Sequence, residues 1–483
     1  MMNISKSFNP PRGSWDPSEQ AAAPLAQWMN PALLHQPYWH EGTGKILLGR
    51  TEKGQNVAYK DDRHLITIAG SRAGRTATML IPNLRRYAGS VLVIDPKGEL
   101  AAHTAVARIA MGQKVYLLDP FGEVEKSGVL EGIIKANTFN PLMELLITTK
   151  DKKHMLLGEA ASLAESLIVS DAKQPHWGDA ARKLAQAVIL YLLSEQNTHA
   201  LTLKTVVDFF ASSDIQKEIY TAMSLSDAYD GFLKHVASTN LKRMEASSNE
   251  YASIISTGDV QLSPLGDMYN REERQSHSDF FLSDLKQTSD DQTPVTIYLV
   301  LPAGKMGSHA NWLRMIATLA LSALERIKTP KNDGNIPPVL FVLEEFAALG
   351  YMRPIERAAG YMAGFGVKLW CILQDLQQLK THYRNSWQTF LGNAGMLQVF
   401  GLNDGTTEEF ISQRLGTTQY EDEEPIHHRS FESRSLINPP VKRIGRLLEA
   451  HEVRLLFSRE TGQQIIIFPQ FQPIALMRLA YGS

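Results

Sequence analysis

The chain has 483 residues, 43% of them hydrophobic and 21% charged, and its formal net charge is -2. That is an ordinary globular composition with room for about two or three domains, and the near balance of charge excludes a chain-wide basic field for nucleic acid. A single cysteine, Cys371, excludes an internal disulfide and fits a reducing compartment; its place behind Leu369-Trp370 in an apolar run predicts a buried thiol rather than a nucleophile.

Residues 1–43 scatter prolines at 10, 11, 17, 24, 31 and 37 among Trp15, Trp28 and Trp39 without a sustained period. They read as an irregular arm that orders against a neighbour. The polar, Pro-rich start is unlike a signal peptide, and no apolar run approaches the roughly 18–20 residues that span a bilayer. A cytoplasmic chain with no direct membrane insertion, associating with a membrane only through partners, is expected. Residues 46–50 and 55–59 flank Lys53-Gly54 as a hairpin.

Next comes a strand-turn-helix-strand unit: Leu65 to Ile68, a glycine turn, a helical pattern through Leu84, and Ser90 to Asp95. A P-loop, G-x-x-x-x-G-K-[S/T], wraps phosphate oxygens with backbone N–H groups at a helix N-terminus. Gly74 and Thr76 keep their places in that pattern, Ala69 with Gly70 stands for the first glycine, and Arg75 replaces the lysine. Ala69, Gly70, Ser71, Arg72, Ala73, Gly74, Arg75 and Thr76 are the candidate phosphate cradle. Read alone, the turn is equally an ordinary Gly-rich strand-to-helix connection.

Lys114 to Phe121 adds a strand and Phe139-Asn140-Pro141-Leu142 closes the first lobe. From 151 to 275 the period shifts to that of helices, as in Leu156, Ala160, Leu163 and Leu167, which predicts an all-α insertion. Its Lys204, Lys217, Lys234, Lys242 and Arg243 are interleaved with acids, so a solvated face is favoured over a nucleic-acid surface. Sheet patterning returns at 295–302, and the strand 338–343 ends in Glu344-Glu345. Such acids can hold a magnesium water shell and polarise attacking water, although a strand capped by two acids is commonplace. Strand 368–373 ends in Gln374, at the sheet edge where a γ-phosphate sensor sits. Strand 396–400 repeats the pattern. Residues 419–443 read as a mobile polar loop, and His427-His428 in it have no partner at zinc-ligand spacing. The last predicted strand is 464–468.

Taken in order, these motifs resemble the VirD4/TraG-type coupling proteins of type IV secretion and conjugation systems. The resemblance is carried by Ala69 to Thr76 with Ile81-Pro82-Asn83-Leu84, by Val93 to Glu99, Asp119-Pro120-Phe121 and Phe139 to Leu142, and by Leu343 to Gly350. Leu373-Gln374-Asp375 with Gln378-Leu379, Gly392-Asn393-Ala394, Asn403-Asp404, Ile411-Ser412 and Leu415-Gly416 complete it, from about residue 44 to the end. It implies a RecA-like α/β nucleotide-binding domain with mostly parallel sheet (44–150 and 276–483) and an inserted all-α domain (151–275). It also implies ATP and Mg as cofactors, a homo-hexameric ring, and DNA or protein substrates moved for secretion-apparatus partners. Thr76 would ligate magnesium, Glu344 would hold its water shell, Glu345 would act as base and Gln374 would sense the γ-phosphate.

Four features depart from the family pattern. No transmembrane helix stands in this sequence, the loop lysine is Arg75, the family's strand-ending aspartate is Glu344, and its trans-acting arginine is Ala363. Arginine is longer and forked, so it binds phosphate in a different geometry. A carboxylate displaced by a methylene can cost about 10²-fold in rate, and loss of a trans arginine roughly 10³ to 10⁵-fold; Arg353 or Arg357 are the nearest substitutes. Three readings follow: a coupling NTPase, a degenerate scaffold or substrate receptor of the same machinery, and a packaging or helicase-like motor. In the scaffold reading Arg75 pairs internally with Glu344 or Glu345, placed one strand away.

Overall fold

The computed structural model describes residues 25–148, 153–170, 174–194, 197–246, 248–269, 277–286, 291–327, 336–422 and 441–480. The strands are β1 (Ile46–Arg50), β2 (Asn56–Tyr59), β3 (His64–Ala69), β4 (Val91–Asp95), β5 (Lys114–Leu118), β6 (Val295–Val300) and β7 (Val339–Leu343). They continue with β8 (Val367–Leu373), β9 (Ala394–Phe400), β10 (Thr417–Asp422), β11 (Val441–Arg446), β12 (Gln463–Ile467) and β13 (Ile474–Met477). An 11-stranded sheet has the order β2-β1-β13-β12-β9-β3-β8-β7-β4-β6-β5. From β9 to β5 neighbouring strands are parallel, while β12, β13, β1 and β2 are antiparallel to their neighbours. This is the mostly parallel α/β sheet expected. β3, β4, β7 and β8 are buried along their whole length, which is why they read as unbroken apolar runs rather than alternations.

Alternate side chains of these strands enter two cores, one on each face. Leu65, Val91, Val93 and Val342 meet α1 (Ile81–Leu84), α2 (Glu99–Ala110) and α3 (Glu123–Ser127) on one side. Ile66, Ile68, Ile94 and Leu343 face the other. There α4 (Pro141–Thr148) leads into α5 (Leu156–Leu167), α6 (Pro175–Leu192), α7 (Leu203–Ala211), α8 (Ser213–Ser224), α9 (Phe232–Glu245) and α10 (Asn249–Tyr269). No strand occurs among the described residues between 153 and 269. On α6 the buried residues Ala181, Leu184, Ala185, Val188 and Leu192 form one stripe at helical spacing. Thr202 and Ser212 cap α7 and α8 by accepting the N–H groups of Thr205 and Ile215. After β6 come α11 (Met306–Arg326), α12 (Arg353–Tyr361), α13 (Leu376–Tyr383), α14 (Trp387–Gly392), α15 (Gly405–Leu415) and α16 (Ala450–Leu456). α5 and α10 pack on α11, so the inserted helices and the sheet share one continuous apolar core.

Three expectations are corrected. The described part of the N-terminal arm orders against its own chain: Ala26 N–H donates to Thr417 O, and Trp39 is buried among Tyr59, Phe468 and Phe471. Aromatic area outweighs the absence of a period there. The predicted last strand is followed by another, β13, which is short and alternates in burial because it joins the antiparallel margin beside β1. The ends of the 419–443 stretch pair as β10 and β11, whose cross-strand hydrogen bonds outweigh polar composition; His427-His428 lie outside the described residues.

Glu144 of α4 is fully buried and accepts the Leu282 N–H at 2.8 Å. Desolvation pushes its carboxyl from 4.5 up to about 7. An acid that holds its proton more tightly when folded loses stability as pH rises between the unfolded and folded values. The melting temperature should therefore fall from pH 4.5 towards pH 7, with this group contributing on the order of 3 kcal/mol across the window. Glu144→Gln should flatten that part of the profile; thermal melts showing the same slope in both proteins would sink the assignment.

Candidate functional site

β3 ends at Ala69, and Gly70 to Gly74 carry the chain over the carboxyl edge of the sheet into Arg75 and Thr76. Gly70 is required by contact: a Cβ there would stand 2.2 Å from the Gly401 carbonyl oxygen. Gly74 is required by conformation, with φ at +87°. Arg72 adopts φ of 58° and is exposed with Ser71, whereas Ala73 is buried and donates its N–H to Gly70 O at 3.2 Å. Since the opposing atom at Gly70 is backbone, Gly70→Ala should destabilise by about 1–3 kcal/mol. An unchanged midpoint in a denaturant titration would contradict this.

The helix behind the loop opens as a π turn, Thr76–Leu80, in which Ile81 N–H donates to Thr76 O. Pro82 offers no N–H to the carbonyl four residues earlier and its ring crowds it, and the wider turn relieves that clash.

At the ends of β7 and β8 the predicted acids and the glutamine meet this loop. Glu344 accepts the Thr76 hydroxyl at 3.0 Å. Arg75, its side chain only 13% exposed, donates to Glu345 and stands 3.8 Å from Glu344. Gln374 Nε2 donates to the other Glu345 oxygen at 3.2 Å. Glu345 holds φ at +56°, a left-handed conformation that costs a non-glycine residue free energy and aims the carboxylate along the sheet edge. Burial, with Asp95 next in weight, pushes the Glu344 carboxyl up to about 7. The expected spacing is corrected in one respect: β8 lies between β3 and β7, so the acids stand two strands from the loop's strand. The long guanidinium bridges that distance.

Two members of the cluster carry no sequence signal as site residues. Asp95 ends β4 beside Glu344's strand, is fully buried, and caps α2 by accepting the Ala101 N–H at 2.8 Å; burial pushes it up to about 6. Only its place before Pro96 at a strand end, in the same position as Glu344 on β7, could have marked it. Arg478, just past β13, donates to the Ala73 carbonyl and lies 5.0 Å from the Phe400 ring. Nothing local connects it with a loop some four hundred residues earlier. Arg353 and Arg357 are not brought here; they line a separate cleft on α12. Ala363 lies in the 3-10 turn Met362–Phe365.

The donor set fits a magnesium-bound polyphosphate in type and spacing. Two ligands at right angles around magnesium, each 2.0–2.1 Å from it, stand about 3 Å apart, the separation already present between the Thr76 hydroxyl and Glu344. Arg75 would then have to exchange its carboxylates for phosphate oxygens, to which a guanidinium fork is equally matched.

A family model described as type IV secretory system conjugative DNA transfer matches residues 32–482. The chain is 26% identical over 440 residues to the VirD4 protein of Rhizobium radiobacter, covering 89% of this chain and 58% of the relative. It is 26% identical over 397 residues to the conjugal transfer protein TraG of Escherichia coli, covering 78% of this chain and 59% of that one. The chain thus spans about three fifths of the length of the curated relatives it matches. Among solved structures, the plasmid coupling protein TrwB in complex with ADP and Mg2+ matches with a TM-score of 0.64 at 14% identity, over 95% of this chain and 97% of that one. TrwB in complex with the non-hydrolysable analogue ADPNP matches with a TM-score of 0.61 over 96% and 98%. At that identity the likeness is one of fold.

Proposed function

Because the chain belongs to the type IV secretory system conjugative DNA transfer family, we propose that it is a P-loop NTPase that recruits or moves DNA or protein for a secretion or conjugation apparatus. The observation that carries the reading is the meeting of Arg75 and Thr76 with Glu344, Glu345 and Gln374 at one edge of the sheet. In this reading the backbone of Ala69 to Thr76 cradles the phosphates of ATP. Arg75 turns from Glu345 to the terminal phosphate, and Thr76 and Glu344 hold the metal. Glu345, freed from Arg75, would accept a proton from the attacking water while Gln374 would sense the γ-phosphate. Magnesium, when bound, would neutralise charge developing on the phosphate oxygens.

The reading further includes a division into an arm (1–43), a nucleotide-binding domain (44–150 and 276–483) and a helical domain (151–275), assembly as a hexameric ring, and a position at the cytoplasmic face of the inner membrane held by partners. Among the described residues no helix is long and apolar enough to cross a membrane. Calorimetry with ATP–Mg2+, followed by phosphate release with and without DNA, tests the proposal; absence of both binding and turnover would defeat it.

One observation favours a second reading, a scaffold or substrate receptor with little hydrolysis. Arg75 is already paired with the carboxylates that a working site would leave to water and metal. In that case the cluster serves stability, and little or no ATP is split.

A further inference from the structure

A cleft of about 280 Å³ opens between α5, α6, α11 and α12, away from the phosphate loop. Its charged lining is Arg182, Arg314, Arg353, Arg357, Glu165 and Glu325. Arg182 is paired with Asp179 at 3.4 Å, which leaves Arg314, Arg353 and Arg357 against two carboxylates and a net positive charge facing one small space. Among the described residues no carboxylate pairs with Arg314, Arg353 or Arg357. Arg314 Nε donates to the Ser166 carbonyl at 3.3 Å, and Arg182 donates its Nε to the Ile168 carbonyl at 2.6 Å and an Nη to Asp179 at 3.4 Å. Arg357 lies 5.7 Å from the Tyr361 ring, and Tyr361 donates to Glu325 at 3.4 Å. The Thr318 hydroxyl, on the cleft wall, is buried without a hydrogen-bond partner.

Burial, and then the neighbouring Arg182, depresses Arg314 to about 10. Arg182 and Arg314 are half-buried in the wall while Arg353 and Arg357 stand exposed, and the remaining N–H groups of such forks match the oxygens of a phosphate group. The orphaned hydroxyl supplies one more donor of the kind a phosphate oxygen accepts. The volume is near the lower end for small-molecule sites and too enclosed for a nucleic-acid duplex.

We propose that this cleft binds a small phosphate compound, a diphosphate or phosphate monoester, at the seam where the inserted helices meet α11 and α12. The site does not depend on the phosphate loop, and its position would let an occupant tie the helical insertion to the strand-β7 end of the nucleotide site through α12.

The test is calorimetric titration of the full chain with inorganic diphosphate, in an Arg75→Ala background that weakens binding at the loop. One site is expected, and its affinity should fall on the order of 10²-fold in Arg353→Gln/Arg357→Gln, both exposed positions, with the melting temperature held. Ser322→Trp, which fills the cleft without altering charge, should abolish the same binding and keeps the test open if the double variant fails to fold. ADP run alongside separates a nucleotide from free diphosphate as the occupant. Absence of diphosphate binding in the Arg75→Ala protein, or equal affinity after either cleft variant, would overturn the proposal.

Discussion

Arg75→Ala should lower the melting temperature and the affinity for ATP–Mg2+ together. Its guanidinium is the near partner of Glu345 and the second neighbour of Glu344, whose side chain is 11% exposed. Removing it leaves two carboxylates side by side with Asp95 close behind. Breaking a fully buried pair costs about 3–5 kcal/mol. Glu345, however, is 31% exposed, so solvent screening reduces the loss to about 1–3 kcal/mol, a fall of a few degrees in a chain of this size. The effect on binding is larger. A phosphate that loses a charge-assisted fork and meets two bare acids should bind on the order of 10²-fold more weakly. Arg72, Arg478 and Thr76 remain beside the loop, so some affinity persists. Arg75→Lys should bind about as well as the parent or better, since lysine restores a compact charge. Melting and calorimetry on the same two variants decide between readings: loss of stability with no nucleotide binding in the parent supports the scaffold, and loss of both supports the NTPase. No change in either would mean that Arg75 does not hold the position described.

Glu345→Gln is expected to separate binding from turnover. In the structure Glu345 holds Arg75 and is held in turn by Gln374, so in the proposed NTPase it would compete with phosphate for that guanidinium. Neutralising it weakens the competitor, so ATP–Mg2+ should bind more tightly, by roughly threefold to tenfold for about 1 kcal/mol of ion pair given up. The same change removes the group proposed to accept a proton from water, and turnover should fall by about 10² to 10⁴-fold. Tighter binding with slower hydrolysis is a pairing that a purely structural glutamate does not produce. A variant that hydrolyses ATP at the parent rate would remove Glu345 from the chemistry. Glu344→Gln should behave differently, weakening the magnesium dependence of binding: the amide oxygen can still accept the Thr76 hydroxyl, but it lacks the negative charge that a hard cation favours.

The amino-acid sequence by itself determined most of the elements, though not β13 or the pairing of β10 with β11. Unbroken apolar runs announced β3, β4, β7 and β8 because parallel strands covered on both faces have no polar side to alternate with. The switch to a 3.6-residue period announced the inserted helices, and the family motifs placed a loop, two acids and a glutamine at strand ends. What the sequence did not determine was which side chains face each other. That depends on strand order, and local patterning is the same whether β3 lies beside β7 or is separated from it by β8. Only the assembled sheet set Glu345 opposite Arg75 across β8, brought buried Asp95 behind Glu344, and carried Arg478 from the end of the chain to the Ala73 carbonyl. The arm at Trp39 and the marginal strand β13 follow the same logic, since both are stabilised by contacts with distant segments rather than by any period of their own. Likewise Arg353 and Arg357, one helical turn apart and a short way past the acids in sequence, turn away from them because the face of α12 they occupy meets α5 and α11 rather than the sheet edge.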